Sequence, residues 1–266
     1  MHMALGAATI EAMTSIPGAQ SLSRGLRVLT TLVHADGPLT ATEIAHRCHC
    51  HQTTASRILA ALIEAGYVRK VSYREFAPDF GLLALGIEAT GHFDLISLPR
   101  PALDRCAEIC APMMVSLCLM WRGQLLYFDQ STRGFDTRVF QGKDYPIHLS
   151  SPGLLFMTEM SRTEALQMLR ASRHKFGWPR TTASVPETET ETLDHALRLV
   201  RNDTLVLKEW AEPGHITAAA RLPDHHGHPL ALAIAGPADI FSVETLRMRL
   251  LACRSLVLPA LPAPNG

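Results

Sequence analysis

"LTATEIAHRCHCHQTTASRILAALIEAGYVRK", residues 39–70, decides the fold. Thr40 followed by Glu43 is a capping box, in which each residue satisfies an amide of the other at a helix start. Ala41, Ile44, Ala45 and Cys48 then share one face of a short helix. A second apolar face begins almost at once. Ala55, Ile58, Leu59, Leu62 and Ile63 line a helix from about Gln52 or Thr53 to Glu64, which Ala65-Gly66 terminates. Only a tight turn fits between the two. Upstream, "SLSRGLRVLTTLVHADG" (21–37) predicts another helix, with Leu22, Leu26, Leu29 and Val33 as its apolar stripe and Gly37-Pro38 as its end. Downstream, "YVRKVSYREFAPDF" (67–80) is rich in β-branched and aromatic residues and predicts two short strands with a turn. Helix, helix, tight turn, helix and hairpin make the plan of a winged helix-turn-helix.

The outward chemistry of the third helix fits that plan. Gln52, Thr53, Thr54, Ser56 and Arg57 are the side chains its apolar face leaves pointing away. Gln and Arg can bond base edges bidentately, and Thr can touch a thymine methyl or a phosphate. The amides of Thr53 and Thr54, at the helix start, favour phosphate as well. The whole chain carries a formal net charge of zero, so no global field advertises a polyanionic partner. Between His46 and Arg74, however, Arg47, Arg57, Arg69, Lys70 and Arg74 face Glu64 alone, a local charge of +4. Arg69, Lys70 and Arg74 fall on the hairpin, where they would meet the backbone or minor groove of double-stranded DNA.

The knot of soft ligands within this stretch (His46, Cys48, His49, Cys50, His51) raises a rival, a metal-responsive regulator. The spacing argues against it. Residues one or two apart on a helix do not face each other, and Cys48 and Cys50 leave one residue between them where zinc pairs leave two to four. The expectation is no metal. Cys48 and Cys50 take small apolar positions between the helices, and His46 and His51 face solvent or phosphate. His49 stands where such turns need a positive φ, a place in which His is enriched among non-glycine residues.

The whole chain of 266 residues is 47% hydrophobic and 19% charged, a globular composition with ample length for a second core. Residues 1–20 read as a flexible arm, 21–80 as the winged helix-turn-helix domain, and 81–94 as a linker helix. Residues 95–258 read as an α+β domain with a mixed sheet, and 259–266 as a frayed tail. Within the second domain a helix precedes two strands joined at Arg122-Gly123. "TRVFQGKDYPIHL" (137–149) adds a strand and a loop, and two helical runs follow. Strands over 204–210, 215–222 and 229–235 come next, with "PDHHGHP" as a turn, and then a helix over 242–257. No secretory signal is visible, and the longest apolar runs are far below the roughly 20 residues that span a bilayer. A cytoplasmic protein with reduced thiols and no membrane partner is expected.

Taken together, "SLSRGLRVLTTL", "LTATEIAHRC" and "TTASRILAALIEAGYVRK" resemble the N-terminal domain of IclR-type transcriptional regulators. "YPIHLSSPG", "GHITAAARLPDHHGHPLALAIAGP" and the final helix resemble that family's effector domain, so the likeness spans roughly residues 21–258. The resemblance implies a winged-helix DNA reader joined by a linker helix to a GAF-like α/β effector-binding domain. It implies homodimers or dimers of dimers on pseudo-palindromic operators, and a small-molecule effector, typically an organic acid or an aromatic metabolite.

By position, the resemblance places the effector against the loop His148-Leu149-Ser150-Ser151-Pro152-Gly153 and the last strands. Loop amides hold the ligand carboxylate in the acid-binding relatives, and here Pro152 has no N–H to give. An acidic residue would align with Leu207, a cysteine with Thr217, and two serines with Ala233 and Ala235. His148, Ser150 and Ser151 complete the expected set. A carboxylate buried without donors is costly. The expected effector is therefore larger, more apolar or aromatic rather than a simple keto-acid; the other option is a vestigial pocket. An enzyme is the remaining rival, with Cys106, Cys110 or Cys118 as nucleophile. Those thiols read as a helix face and a strand interior, where thiols are inert. There is no nucleophile elbow, P-loop or dinucleotide fingerprint, so neither catalysis nor a cofactor is expected.

Overall fold

A computed structural model describes residues 20–131 and 145–263, which form two compact units that meet in sequence between Phe93 and Asp94. The expected N-terminal arm, apart from Gln20, lies outside the described residues. So do residues 137–144 of the expected strand and loop, and the end of the expected tail.

The first unit runs α1 (Gln20–Val33), β1 (Leu39–Thr40), α2 (Ala41–Arg47), α3 (Gln52–Glu64), β2 (Val68–Lys70), β3 (Glu75–Pro78) and α4 (Phe80–Thr90). The capping box is formed: Thr40 Oγ1 accepts from Glu43 N and the Glu43 carboxylate accepts from Thr40 N. The hairpin expected over 67–80 is β2–β3, with Arg69 opposite Ala77. β1 joins it as a third strand, Leu39 opposite Phe76; two residues are too few to announce a strand by periodicity. The core of the unit gathers Val28 and Leu32 of α1 with Leu39, Ile44, Cys48, Ala55, Leu59, Val68 and Phe76.

The stripe expected on α1 is not its buried face. Val28 and Leu32 are buried and Leu29 is half-buried, while Leu22, Leu26 and Val33 are 67%, 47% and 53% exposed. The helix carries apolar residues on two sides. The core selects the side that meets Leu39 and Phe76, and the 4-3-4 spacing belongs mainly to the other. α4 goes further and buries none of its residues, although it is predominantly apolar.

The second unit begins with α5 (Asp94–Ser97) and α6 (Arg100–Cys110), then β4 (Met114–Trp121) and β5 (Gln124–Ser131). After a 3-10 turn (Ile147–Leu149) come α7 (Ser151–Met157), α8 (Arg162–Phe176) and α9 (Glu189–Leu199). β6 (Thr204–Lys208), β7 (His215–His225), β8 (His228–Pro237), α10 (Val243–Val257) and a 3-10 turn (Leu258–Ala260) complete it. The strands form one sheet in the order β5-β4-β8-β7-β6, and every neighbouring pair is antiparallel, not mixed as the sequence suggests. Hairpins explain this. Arg122-Gly123 turns β4 into β5 and His226-Gly227 turns β7 into β8, all four residues with φ between 48° and 77°. That is the two-residue turn whose twist matches the strands. The second turn is therefore much shorter than "PDHHGHP", and its flanking residues His225 and His228 pair across the ladder.

Alternation along the strands builds two cores. Ile216, Ala218, Ala220 and Leu222 of β7 pack with α6 and α10 on one face. Ala219, Leu205, Leu207 and Ala231 pack with α7, α8 and α9 on the other. Both faces are thus covered by helices, which gives the α+β second layer of the chain. Cys106 and Cys110 line the buried side of α6 and Cys118 lies buried in β4, as their patterns predict; all six cysteines are free thiols.

Candidate nucleic-acid interface

The reading helix is presented by the turn before it. Cys48 caps α2, and His49 follows at φ 50°. His49 N–H donates to His46 O and Cys50 N–H to Ala45 O, a paired closure that satisfies the last carbonyls of α2. The positive φ expected at His49 is present, held by these bonds in place of glycine. Cys48 is buried, its Sγ 3.4 Å from Thr31 Oγ1, and Cys50 packs half-buried against the same core. α3 ends in the same kind of closure. Gly66 sits at φ 78°, with Gly66 N–H on Ile63 O and Tyr67 N–H on Leu62 O. Both helices therefore stop sharply, which fixes where the first turn of α3 points.

On α3, Gln52, Thr53, Ser56 and Arg57 are exposed, and Ala55 and Leu59 are buried on the far side. Thr54 differs from its expectation. It is half-buried, and its N–H donates to His51 O at 2.9 Å, so that amide is not offered outward. His51 caps the helix without a side-chain hydrogen bond. On the wing, Arg69, Lys70 and Arg74 are all exposed, with the Lys70 ammonium 5.9 Å from the Phe76 ring centroid. Val71 N–H bonds Glu75 O across the wing tip, and Ser72 Oγ donates to Glu75 and accepts from Arg74 N–H. The structure thus puts a polar helix face and a basic hairpin in one small unit.

His46 and His51 are exposed, and with His49 and Cys50 they border an open hollow on the surface. Among the described residues no group of three or more His, Cys, Asp or Glu is placed to hold a metal ion.

The residues expected around an effector occupy the second unit. Leu207 lies opposite Thr217 and Thr217 opposite Ala235, one row across β6, β7 and β8; Ala233, opposite Ala219, lies in the next row. His148 is fully buried and stacks on Trp178, ring centroids 3.9 Å apart and 10° from parallel. Its Nε2 pairs with Pro179 O, and Trp210 Nε1 donates to its carbonyl. Burial pushes the His148 imidazole below its ordinary pKa, the Pro179 carbonyl opposing. Ser150 and Ser151 are buried, and Ser150 Oγ, 2.8 Å from Tyr127 Oη, accepts from Gly153 N. Leu154 N–H is used by Ser150 O. His148 Nδ1 and Thr217 Oγ1 are buried and find no hydrogen-bond partner among the described residues. Tyr127, Ser116 and Met114 join this neighbourhood unforeseen: Met114 is opposite Ala235, Ser116 opposite Ala233, and Tyr127 opposite Cys118. Their strands were legible in the sequence, but the register that brings them here is not.

Residues 21–72 match the IclR helix-turn-helix domain. The chain is 24% identical to the acetate operon repressor of Salmonella typhimurium over 226 residues, 83% of this chain and 81% of that protein. Among solved structures, an IclR family transcriptional regulator from Brucella abortus superposes with a TM-score of 0.75 at 23% identity, covering 95% of this chain and 97% of its own. An IclR homologue from Microbacterium hydrocarbonoxydans, complexed with 4-hydroxybenzoate, gives a TM-score of 0.66 at 16% identity, with 91% and 99% covered. The structures share the two-domain α+β fold, and the family match falls on the helix-turn-helix with its exposed polar face. Residues 21–72 therefore form an IclR-type helix-turn-helix domain, and over most of its length the chain is similar to IclR-type, DNA-binding transcriptional regulators.

Proposed function

We propose that α3 enters the major groove of a specific operator, with Gln52, Thr53, Ser56 and Arg57 toward base edges and Thr54 beside them at the margin. The wing holds phosphate through Arg69, Lys70 and Arg74. The observation that carries this reading is the face of α3: four polar side chains are exposed together on a helix whose opposite face is core. Genome-wide capture of DNA bound to the full chain tests it. Enrichment of one recurring, dyad-related sequence is expected, and uniform recovery of genomic DNA would overturn it.

The same reading makes the second unit a sensor of a small organic metabolite, with His148, Ser150, Ser151, Leu207, Thr217, Ala233 and Ala235 around it. Support comes from the hydrogen-bond inventory. Pro152 has no N–H, and the amides of Gly153 and Leu154 are already engaged by Ser150. A simple keto-acid would find few donors there, whereas an apolar or aromatic molecule needs few. The fold accepts an aromatic ligand in the Microbacterium homologue. Leu207 and Ala233, at 1% and 6% exposure, favour a second reading in which the pocket is vestigial. A thermal-shift panel of aromatic acids, aromatic neutrals and short keto-acids separates the two. Stabilisation by an aromatic compound supports sensing, and no response from any compound supports the vestigial pocket.

The exposed faces of α1 and α4 favour a homodimer or dimer of dimers, the second copy covering Phe80, Leu83 and Ile87, which are 79%, 58% and 62% exposed at i, i+3 and i+7. A cytoplasmic, non-enzymatic role follows from regulation of transcription. The described helices include none long and apolar enough to cross a membrane.

A further inference from the structure

Tyr73 is 88% exposed, more than any other large apolar or aromatic side chain among the described residues. It sits at the apex of the wing, between Ser72 and Arg74. Folding of the chain gives no reason for an aromatic ring there, since nothing in the unit covers it. The turn that carries it is closed: the Val71 N–H to Glu75 O bond and the two Ser72 hydroxyl bonds tie its backbone from both sides, so the ring projects from a defined turn. Arg69, Lys70 and Arg74 surround it in sequence, all exposed. A ring set among cations on a hydrogen-bonded turn suits a surface that is both polyanionic and grooved.

We propose that Tyr73 is a specificity-determining residue that enters the minor groove beside the half-site read by α3 and selects A·T pairs there. This rests on the DNA-binding reading above. The selection follows from hydrogen-bond chemistry. In the minor groove, A·T and T·A pairs offer only acceptors, adenine N3 and thymine O2, whereas G·C adds the guanine amino group as a donor. The Tyr73 hydroxyl can donate to the acceptors, and the guanine amino group obstructs the ring in the groove. Arg74 and Lys70 hold the flanking phosphates without regard to sequence.

Cyclic selection from a random duplex library with the full-length chain supplies the operator. Binding is then measured by anisotropy on that operator and on versions whose flanking A·T pairs are changed to G·C or to inosine·cytosine, which keeps the minor-groove pattern of A·T. Wild type is expected to weaken about tenfold on G·C flanks, the scale of one mismatched pair, and to be unaffected by inosine·cytosine. Tyr73→Ala should bind all three alike, and Tyr73→Phe should retain only part of the discrimination. Circular dichroism of both variants should match wild type, because the ring is almost wholly exposed. If Tyr73→Ala discriminates as wild type does, or if wild type shows no preference at the flanks, the assignment of Tyr73 fails while DNA reading by α3 stands. If wild type enriches no sequence at all, the DNA-binding reading fails and this inference with it.

Discussion

His49 adopts a backbone conformation that most side chains resist, yet the two amide bonds of the α2 terminus hold it there. Glycine meets that φ without strain, and a β-branched residue resists it most. His49→Gly should stabilise the helix-turn-helix by up to about 1 kcal/mol, and His49→Val should destabilise it by about 1–2 kcal/mol. Hydrogen-exchange protection of the α2 and α3 amides in the full chain checks both. His148 carries a different consequence. Burial lowers its pKa from 6.5, so the folded chain holds it neutral while the unfolded chain takes up a proton more readily. Its contribution is complete above pH 6.5 and is lost as pH falls toward the lowered folded value. The melting temperature of the second unit should therefore drop between neutral and mildly acidic pH, and His148→Phe, which keeps a ring against Trp178, should drop less over that range.

Elements inherit their ends from such residues. Thr40→Ala removes the hydroxyl half of the α2 capping box and should cost about 1 kcal/mol, seen as earlier loss of α2 protection in urea. Lys70 lies on the wing beside Arg69 and should act by charge alone. Lys70→Ala should weaken all duplexes alike and reduce the salt slope of binding by about one; an unaltered slope would remove it from the contact set. Signals this local were readable in the sequence. The capping box, the tight turn, the Gly66 stop and the hairpin each depend on a few neighbouring residues whose chemistry has one good solution. The buried side of α1 was not readable, because Leu22, Leu26 and Val33 are spaced as well as any core stripe. What decides between two apolar faces is where Leu39 and Phe76 come to lie. β1 escaped for the same reason, its two residues being drawn into a strand by β3. Thr54 shows the limit at the site itself: its type fits an outward position, but its amide closes the first turn of α3.

At the scale of the whole molecule, the apolar surfaces left open are as informative as the cores. α4 leaves Phe80, Leu83 and Ile87 in water, an arrangement that a second copy would relieve. Leu83→Glu with Ile87→Glu should convert the assembly to monomers in light scattering and abolish binding to a dyad-related operator, leaving the helical content unchanged. In the second unit, the sequence located strands and helices but not which strand rows face each other. Ser116, Met114 and Tyr127 therefore came to light only through the register of β4 with β8 and β5. If the exposed face of α3 reads sequence as proposed, Arg57, exposed there, can bond a guanine edge bidentately. The most direct measurement is the affinity of wild type and Arg57→Ala for the captured operator and for a scrambled duplex of equal composition. A loss of roughly 1–3 kcal/mol on the operator, with little change on the scrambled duplex, is predicted. Equal affinities of the two proteins for the operator, with the same preference over the scrambled duplex, would contradict it.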